Sequence, residues 1–134
     1  MKLDEVEGIG GVYAEQLSLA GIGTADALLE QGAKPGGRAA IEKATGISGT
    51  LILKWVNRVD LMRIDGVGSE YADLLEMASV DSPAELAGRN ADNLAQTFQD
   101  LVAARPGTVR RIPSATEIAG WIDQAKDLPK VVSH

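Results

Sequence analysis

Two stretches of the chain decide how the rest is read: Val6-Glu7-Gly8-Ile9-Gly10-Gly11-Val12-Tyr13-Ala14-Glu15-Gln16-Leu17 and Ile64-Asp65-Gly66-Val67-Gly68-Ser69-Glu70-Tyr71-Ala72-Asp73-Leu74-Leu75. Each residue of the second lies 58 positions after its counterpart in the first. Glycines, the Tyr-Ala pair and the apolar positions coincide, and the register continues through Ala20-Gly21-Ile22 and Ala78-Ser79-Val80 to Leu28 and Leu86. Further along, Ser48, Ile52, Trp55, Val56 and Val59 align with Ser114, Ile118, Trp121, Ile122 and Ala125 at an offset of 66. The second copy therefore holds eight extra residues, expected within Asn90–Thr108. The chain reads as a doubled unit, 1–62 and 63–128, followed by a disordered tail, 129–134.

Local signals are helical throughout. Leu51, Ile52, Trp55, Val56 and Val59 make one apolar stripe at helical spacing, as do Leu74, Leu75 and Ala78. Ser82-Pro83-Ala84-Glu85 and Ser114-Ala115-Thr116-Glu117 are capping boxes, in which a serine oxygen and a glutamate three residues on satisfy orphan amides reciprocally. Thr24, Ser48 and Asn90 are N-cap candidates. Gly21, Gly46 and Gly107 stand where helices should stop. No segment alternates with period two. Aromatics are 4% of residues, so the core must be aliphatic, which suits helices packed on helices. The expected fold is all-α: about five short helices per unit, each unit closed by a Trp-bearing helix, and the two units packed as one compact body. Trp55 and Trp121 belong to the core, and Tyr13 and Tyr71 are expected to pack on their own units with hydroxyls near the surface.

The apolar-x-Gly-apolar-Gly pattern followed by alanine resembles the helix-hairpin-helix motif of DNA polymerases and repair proteins, and Gly21-Ile22-Gly23-Thr24 through Leu28 resembles the tail that follows it there. The two-unit layout also resembles a bacterial domain family of unknown function with tandem motifs of this kind. The resemblance implies sequence-nonspecific binding of DNA. Backbone amides at the hairpin hold a phosphate, and hairpin carbonyls in some members hold a monovalent cation. Carried onto this chain, the binding residues are Gly8, Gly10, Gly11 and Val12 in the first turn, then Gly66, Gly68 and Ser69, with the Glu70 amide, in the second. The physical basis is general: glycine permits a sharp turn, and unpaired amides at a helix start attract an anion. Such contacts grip the backbone without reading bases.

The charge pattern complicates that expectation. Net charge is −6, and its sign alternates: −5 over residues 1–33, +4 over 34–63, −7 over 64–104 and +2 over 105–134. Asp4, Glu5, Glu7 and Glu15 flank the first hairpin, and Asp65, Glu70 and Asp73 flank the second, with Arg63 opposing them. Carboxylates repel phosphate within a Debye length of about 8 Å. A second candidate surface is basic: Lys34, Arg38, Lys43, Lys54 and Arg58, with Arg105, Arg110 and Arg111. These form a phosphate-facing stripe if the back halves of the units face one way, or a contact with the acidic half of another molecule, or an ordinary mixed-charge surface. The glycine turns equally admit a purely structural reading. Two functions therefore stand: a DNA-backbone binding module, and a protein-interaction or self-assembling adaptor module.

Catalysis is not expected. It needs a positioned nucleophile, an acid–base pair or a metal. The one histidine is His134, there is no cysteine, and no phosphate loop or dinucleotide fingerprint occurs. Lys34-Pro35-Gly36-Gly37-Arg38 reads as a turn. No catalytic residue, metal site, cofactor or small-molecule substrate is assigned. The longest uncharged runs, Gln16–Ala25 and Ala44–Leu53, are half of the roughly 20 residues a membrane span needs. With no signal-like N-terminus, the expected location is cytoplasmic, without a membrane partner.

Overall fold

The computed structural model describes residues 1–134, and every regular element is helical. A 3-10 turn at Leu3–Glu5 precedes eight α-helices: α1 (Gly11–Leu19), α2 (Ala25–Gly32), α3 (Pro35–Thr45), α4 (Gly49–Leu61), α5 (Ser69–Met77), α6 (Pro83–Ala87), α7 (Ala91–Ala104) and α8 (Ala115–Asp127). The chain divides into two units, Met1–Asp60 with Val131–His134, and Leu61–Lys130. Four α-helices begin in each, where about five were expected. The segment entering the first glycine turn is too short for more than a 3-10 turn.

The caps act as the side-chain chemistry dictates. Thr24 Oγ1 accepts from Ala27 N–H (3.1 Å), Ser48 Oγ from Leu51 N–H (3.2 Å) and Asn90 Oδ1 from Asn93 N–H (3.0 Å). Ser114 and Glu117 form the full reciprocal box, and Ser82 Oγ accepts from Glu85 N–H. Each such cap stabilises its helix by about 1 kcal/mol. Gly46, in the left-handed region at φ +75°, ends α3. The segment expected to be a turn at Lys34–Arg38 instead starts α3. Proline is tolerated at the first helical position, where its missing N–H has no intrahelical partner in any case.

Each unit has its own aliphatic core. In the first, Leu17, Ile22, Leu28, Ile52, Trp55 and Val56 are fully buried. In the second, Leu61, Ile64, Leu74, Leu75, Leu86, Leu94, Phe98 and Ile118 are, and α6 and α7 both pack on α8. Each such side chain contributes about 1.5–3 kcal/mol relative to exposure. The tail expected to be disordered is held. Val132 is buried in the first unit's core, Ser133 N–H donates to Ala33 O (2.8 Å), and Arg38 Nη2 donates to Ser133 O (2.7 Å). Apolar burial and a charge-assisted hydrogen bond together offset the entropy of ordering four residues, a balance that residue types near a terminus do not reveal.

Candidate nucleic-acid interface

Both glycine turns are built on the helix that closes their unit. In the first, Gly8 has φ +90°, and a β-carbon there would lie 2.9 Å from Arg58 Nη1 and 3.4 Å from Trp55 Nε1. Only glycine accepts both the backbone angle and the close approach. Arg58 is buried and donates from Nη1 to Glu7 O. Trp55 lies wholly inside, its indole N–H without a partner, and the Tyr13 ring packs on it at 5.1 Å between centroids. In the second unit, Gly66 has φ +95°, and a β-carbon would stand 2.9 Å from Trp121 Nε1. Gln124 pairs both ways with Asp65: its Nε2 donates to Asp65 O (3.1 Å), and its Oε1 accepts from Asp65 N–H (2.8 Å). Tyr71 packs on Trp121 at 5.3 Å.

The closing helices thus brace the turns with a tryptophan and, three residues later, a polar side chain, Trp55 and Arg58 on α4 and Trp121 and Gln124 on α8. Sequence reasoning missed this second member. The offset of 66 that aligns the tryptophans also aligns Arg58 with Gln124, and that was the available signal. The Glu7 carbonyl already faces a guanidinium, and the Asp65 carbonyl already takes an amide N–H.

Beyond each turn a helix begins without a side-chain cap. Gly10 and Gly68 are extended N-caps, and the space where their side chains would be is open. Gly11 is likewise open, and Val12 is 71% exposed. Ser69 is partly buried at the start of α5.

The basic candidates divide sharply. Arg38, expected to face a ligand, is buried. Its Nη1 donates to Gly32 O (2.8 Å) and Ala33 O (3.2 Å), closing the C-terminal end of α2. With Arg58 also turned inward, the proposed stripe over residues 34–63 lacks two of its charges, while Lys34, Lys43 and Lys54 stay exposed. In the second unit the arginines come to the hairpin. Glu70 Oε1, in the first turn of α5, accepts from Arg110 N–H (2.8 Å), and Arg110 Nε lies 3.7 Å from Glu70 Oε2. Tyr71 Oη donates to Arg111 O (2.7 Å). The Arg110 side chain is 94% exposed. Arg111 donates through both Nη atoms to the two Glu117 oxygens, at 2.6 and 2.8 Å. That fork, aided by the Ser114 N–H, lowers the Glu117 carboxyl to about 2 and raises the Arg111 guanidinium further above its ordinary range. Arg105 is exposed at the end of α7 and is not tied to this cluster by any hydrogen bond to α5.

No group of three or more His, Cys, Asp or Glu side chains is arranged to hold a metal ion. Two shallow grooves are present, one of about 370 Å³ lined by Ala20 and Ile22 after α1, Gln31 of α2 and small and aliphatic residues of α3, and one of about 280 Å³ beside Met77 and Leu101. No helix is long and apolar enough to cross a membrane.

These features define an all-helical protein whose exposed chemistry is backbone turns and surface charge. The chain belongs to the family described as a domain of unknown function, DUF4332, whose model matches residues 7–128. It matches no curated protein and no solved structure.

Proposed function

We propose that the chain is a non-enzymatic binding module made of two helix-hairpin-helix units, and that its second glycine turn holds the sugar-phosphate backbone of DNA without reading sequence. The observation that carries this reading is the approach of Arg110 and Arg111 to the first turn of α5. Arg110 there stands by the start of α5, which Gly68 leaves without a side-chain cap, and the Arg111 backbone carbonyl takes the Tyr71 hydroxyl. Glu70 would repel phosphate on its own, but its carboxylate is occupied by Arg110. Amides of a helix start and the exposed Arg110 guanidinium together suit an anion. The first turn is the lesser site, since the arginine beside it points inward onto Glu7.

The test is a titration of a fluorescent duplex against salt. Binding is expected at low salt, with affinity falling as a power of salt concentration. Each phosphate-contacting arginine removed should reduce the slope of log K against log salt by about 1. Arg110→Ala should show this in full. Arg111→Ala should show less, because Arg111 is already paired with Glu117. No binding to duplex at low salt, or an unchanged slope in the double variant, would refute the assignment.

A further inference from the structure

We infer that the first unit carries a peptide-binding groove, and that it takes the Val131–His134 segment of a second copy of this chain in exchange for its own. Three elements supply the groove. Ala33, which ends α2, accepts from the Ser133 N–H (2.8 Å), and Arg38 of α3 donates from Nη2 to the Ser133 carbonyl (2.7 Å). Asn57 of α4 places Oδ1 2.9 Å from His134 Nε2. Val132 is buried in the first unit's core. The backbone of Ser133 is thus held at both its N–H and its C=O, while Val132 and His134, two positions apart, engage the unit with their side chains. That is the division by which an extended peptide is recognised: backbone hydrogen bonds give affinity and alternate side chains give specificity.

Two observations mark this as a built site. Arg38 and Asn57 are each only 7% exposed, and the segment supplies a partner to both. The Arg38 guanidinium is also fixed independently, because its Nη1 donates to Gly32 O and Ala33 O. Its Nη2 is therefore aimed in advance, which lowers the ordering cost of binding. Nor does the repeat demand a polar group here. At the offset of 66, Asn57 corresponds to Asp123, which is exposed on α8, although the preceding Val56 and Ile122 are both buried. A buried amide at this position belongs to the first unit, where a segment meets it. That segment follows α8 through Leu128–Lys130, which form no regular element. Every contact named above lies within residues 132–134, so the same segment of another molecule fits through identical groups. Exchange of identical elements is a general route to dimers. The choice between own and foreign segment is then one of concentration, the tethered segment acting at an effective value on the order of millimolar. The inference uses neither the glycine turns nor Arg110 and Arg111.

The probe is a fluorescein-labelled, amidated peptide spanning Leu128–His134. It is titrated into the full chain carrying Val132→Asp, whose groove is intact and whose own segment is loosened, and followed by anisotropy and amide shifts. Binding is expected, with shifts at Ala33, Arg38 and Asn57. It should be about tenfold or more tighter than to the wild type, where the chain's own segment competes. The peptide bearing Val132→Asp should not bind. If circular dichroism shows that the Val132→Asp chain loses helix, His134→Ala, at an exposed position, serves as the loosened chain, with a gain of about threefold expected. The second copy is tested by mixing the loosened chain with an Arg38→Ala chain, which keeps its segment and loses the Nη2 donor. Sedimentation should show a one-to-one dimer that neither chain forms alone. No binding of the peptide by the loosened chain overturns the inference. So does equal affinity for the two peptides, equal affinity of loosened and wild-type chains, or a mixture without that dimer. None of these substitutions touches Arg110 or Arg111, so a failure of DNA binding and a failure here are read separately.

Discussion

Replacing Gly66 with alanine tests whether the glycine turn is held by the tryptophan beneath it. Two costs arise from one methyl group. An L side chain in the left-handed region at φ +95° costs about 1–2 kcal/mol. The new β-carbon would also sit 2.9 Å from Trp121 Nε1, so a buried ring must shift, at about 1–3 kcal/mol. Reduced freedom of the unfolded chain offsets about 0.4–1 kcal/mol. The net loss is about 1–4.5 kcal/mol, a sizeable share of the roughly 5–15 kcal/mol that stabilises a domain. Gly120→Ala is the matched control. It adds the same methyl one residue from Trp121, in the middle of α8, with nothing within 4 Å and no positive φ. Helix propensity alone predicts a gain of about 0.8–1 kcal/mol there. Urea unfolding followed by far-ultraviolet circular dichroism measures both. If Gly66→Ala costs less than about 1 kcal/mol, the turn relaxes freely and the bracing argument is wrong. A loss at Gly120 would show that any methyl in this helix region is harmful, which removes the specificity of the claim.

Two further outcomes follow from the same geometry. Arg38→Ala should destabilise the first unit by about 2–4 kcal/mol, because three carbonyl acceptors lose a charged donor. Arg38→Lys should not restore it, since an ammonium cannot fork between Gly32 and Ser133. Hydrogen exchange at the Ser133 amide should accelerate in both variants, and slow exchange there would refute the latch. The third outcome concerns pH. Glu117 is lowered to about 2 in the folded chain, below its unfolded value of about 4.3, so its contribution is present above the unfolded value and fades as pH falls toward 2. Melting temperature measured from pH 6 to pH 2 should fall less steeply in Glu117→Gln than in the wild type. The difference is small, because both partners are solvent-exposed. Parallel curves would show that the pair with Arg111 contributes nothing to folding.

Much of the helical character was legible because it is local. Ser114 and Glu117 cap each other across three residues, and Thr24, Ser48 and Asn90 cap their own first turns, whatever the rest of the chain does. The glycine turns were legible for the same reason. A positive φ at Gly8 and Gly66 is a property of the turn itself, and the register between the two stretches exposes it twice. The helix count was less legible. Leu3–Glu5 carries the composition of a helix start but leaves room for a single turn, and Lys34–Arg38 looks like a turn until Pro35 is placed at a helix start.

The direction of a charged side chain was not legible at all. Arg38, Arg58, Arg110 and Arg111 are the same residue type in comparably basic stretches, yet two are interior donors to backbone carbonyls, one lies beside Glu70 in the first turn of α5 and one forks onto Glu117 of α8. Three of their partners lie far away in sequence: Ser133 is 95 residues from Arg38, Glu7 is 51 from Arg58, and Glu70 is 40 from Arg110. The order of residues alone determined the glycine turns, the caps and the aliphatic stripes, because each depends on neighbours within one or two helical turns. Only the tertiary structure decided which cations are spent on internal carbonyls and which face solvent, because that depends on where unpaired carbonyls and carboxylates from distant segments come to rest.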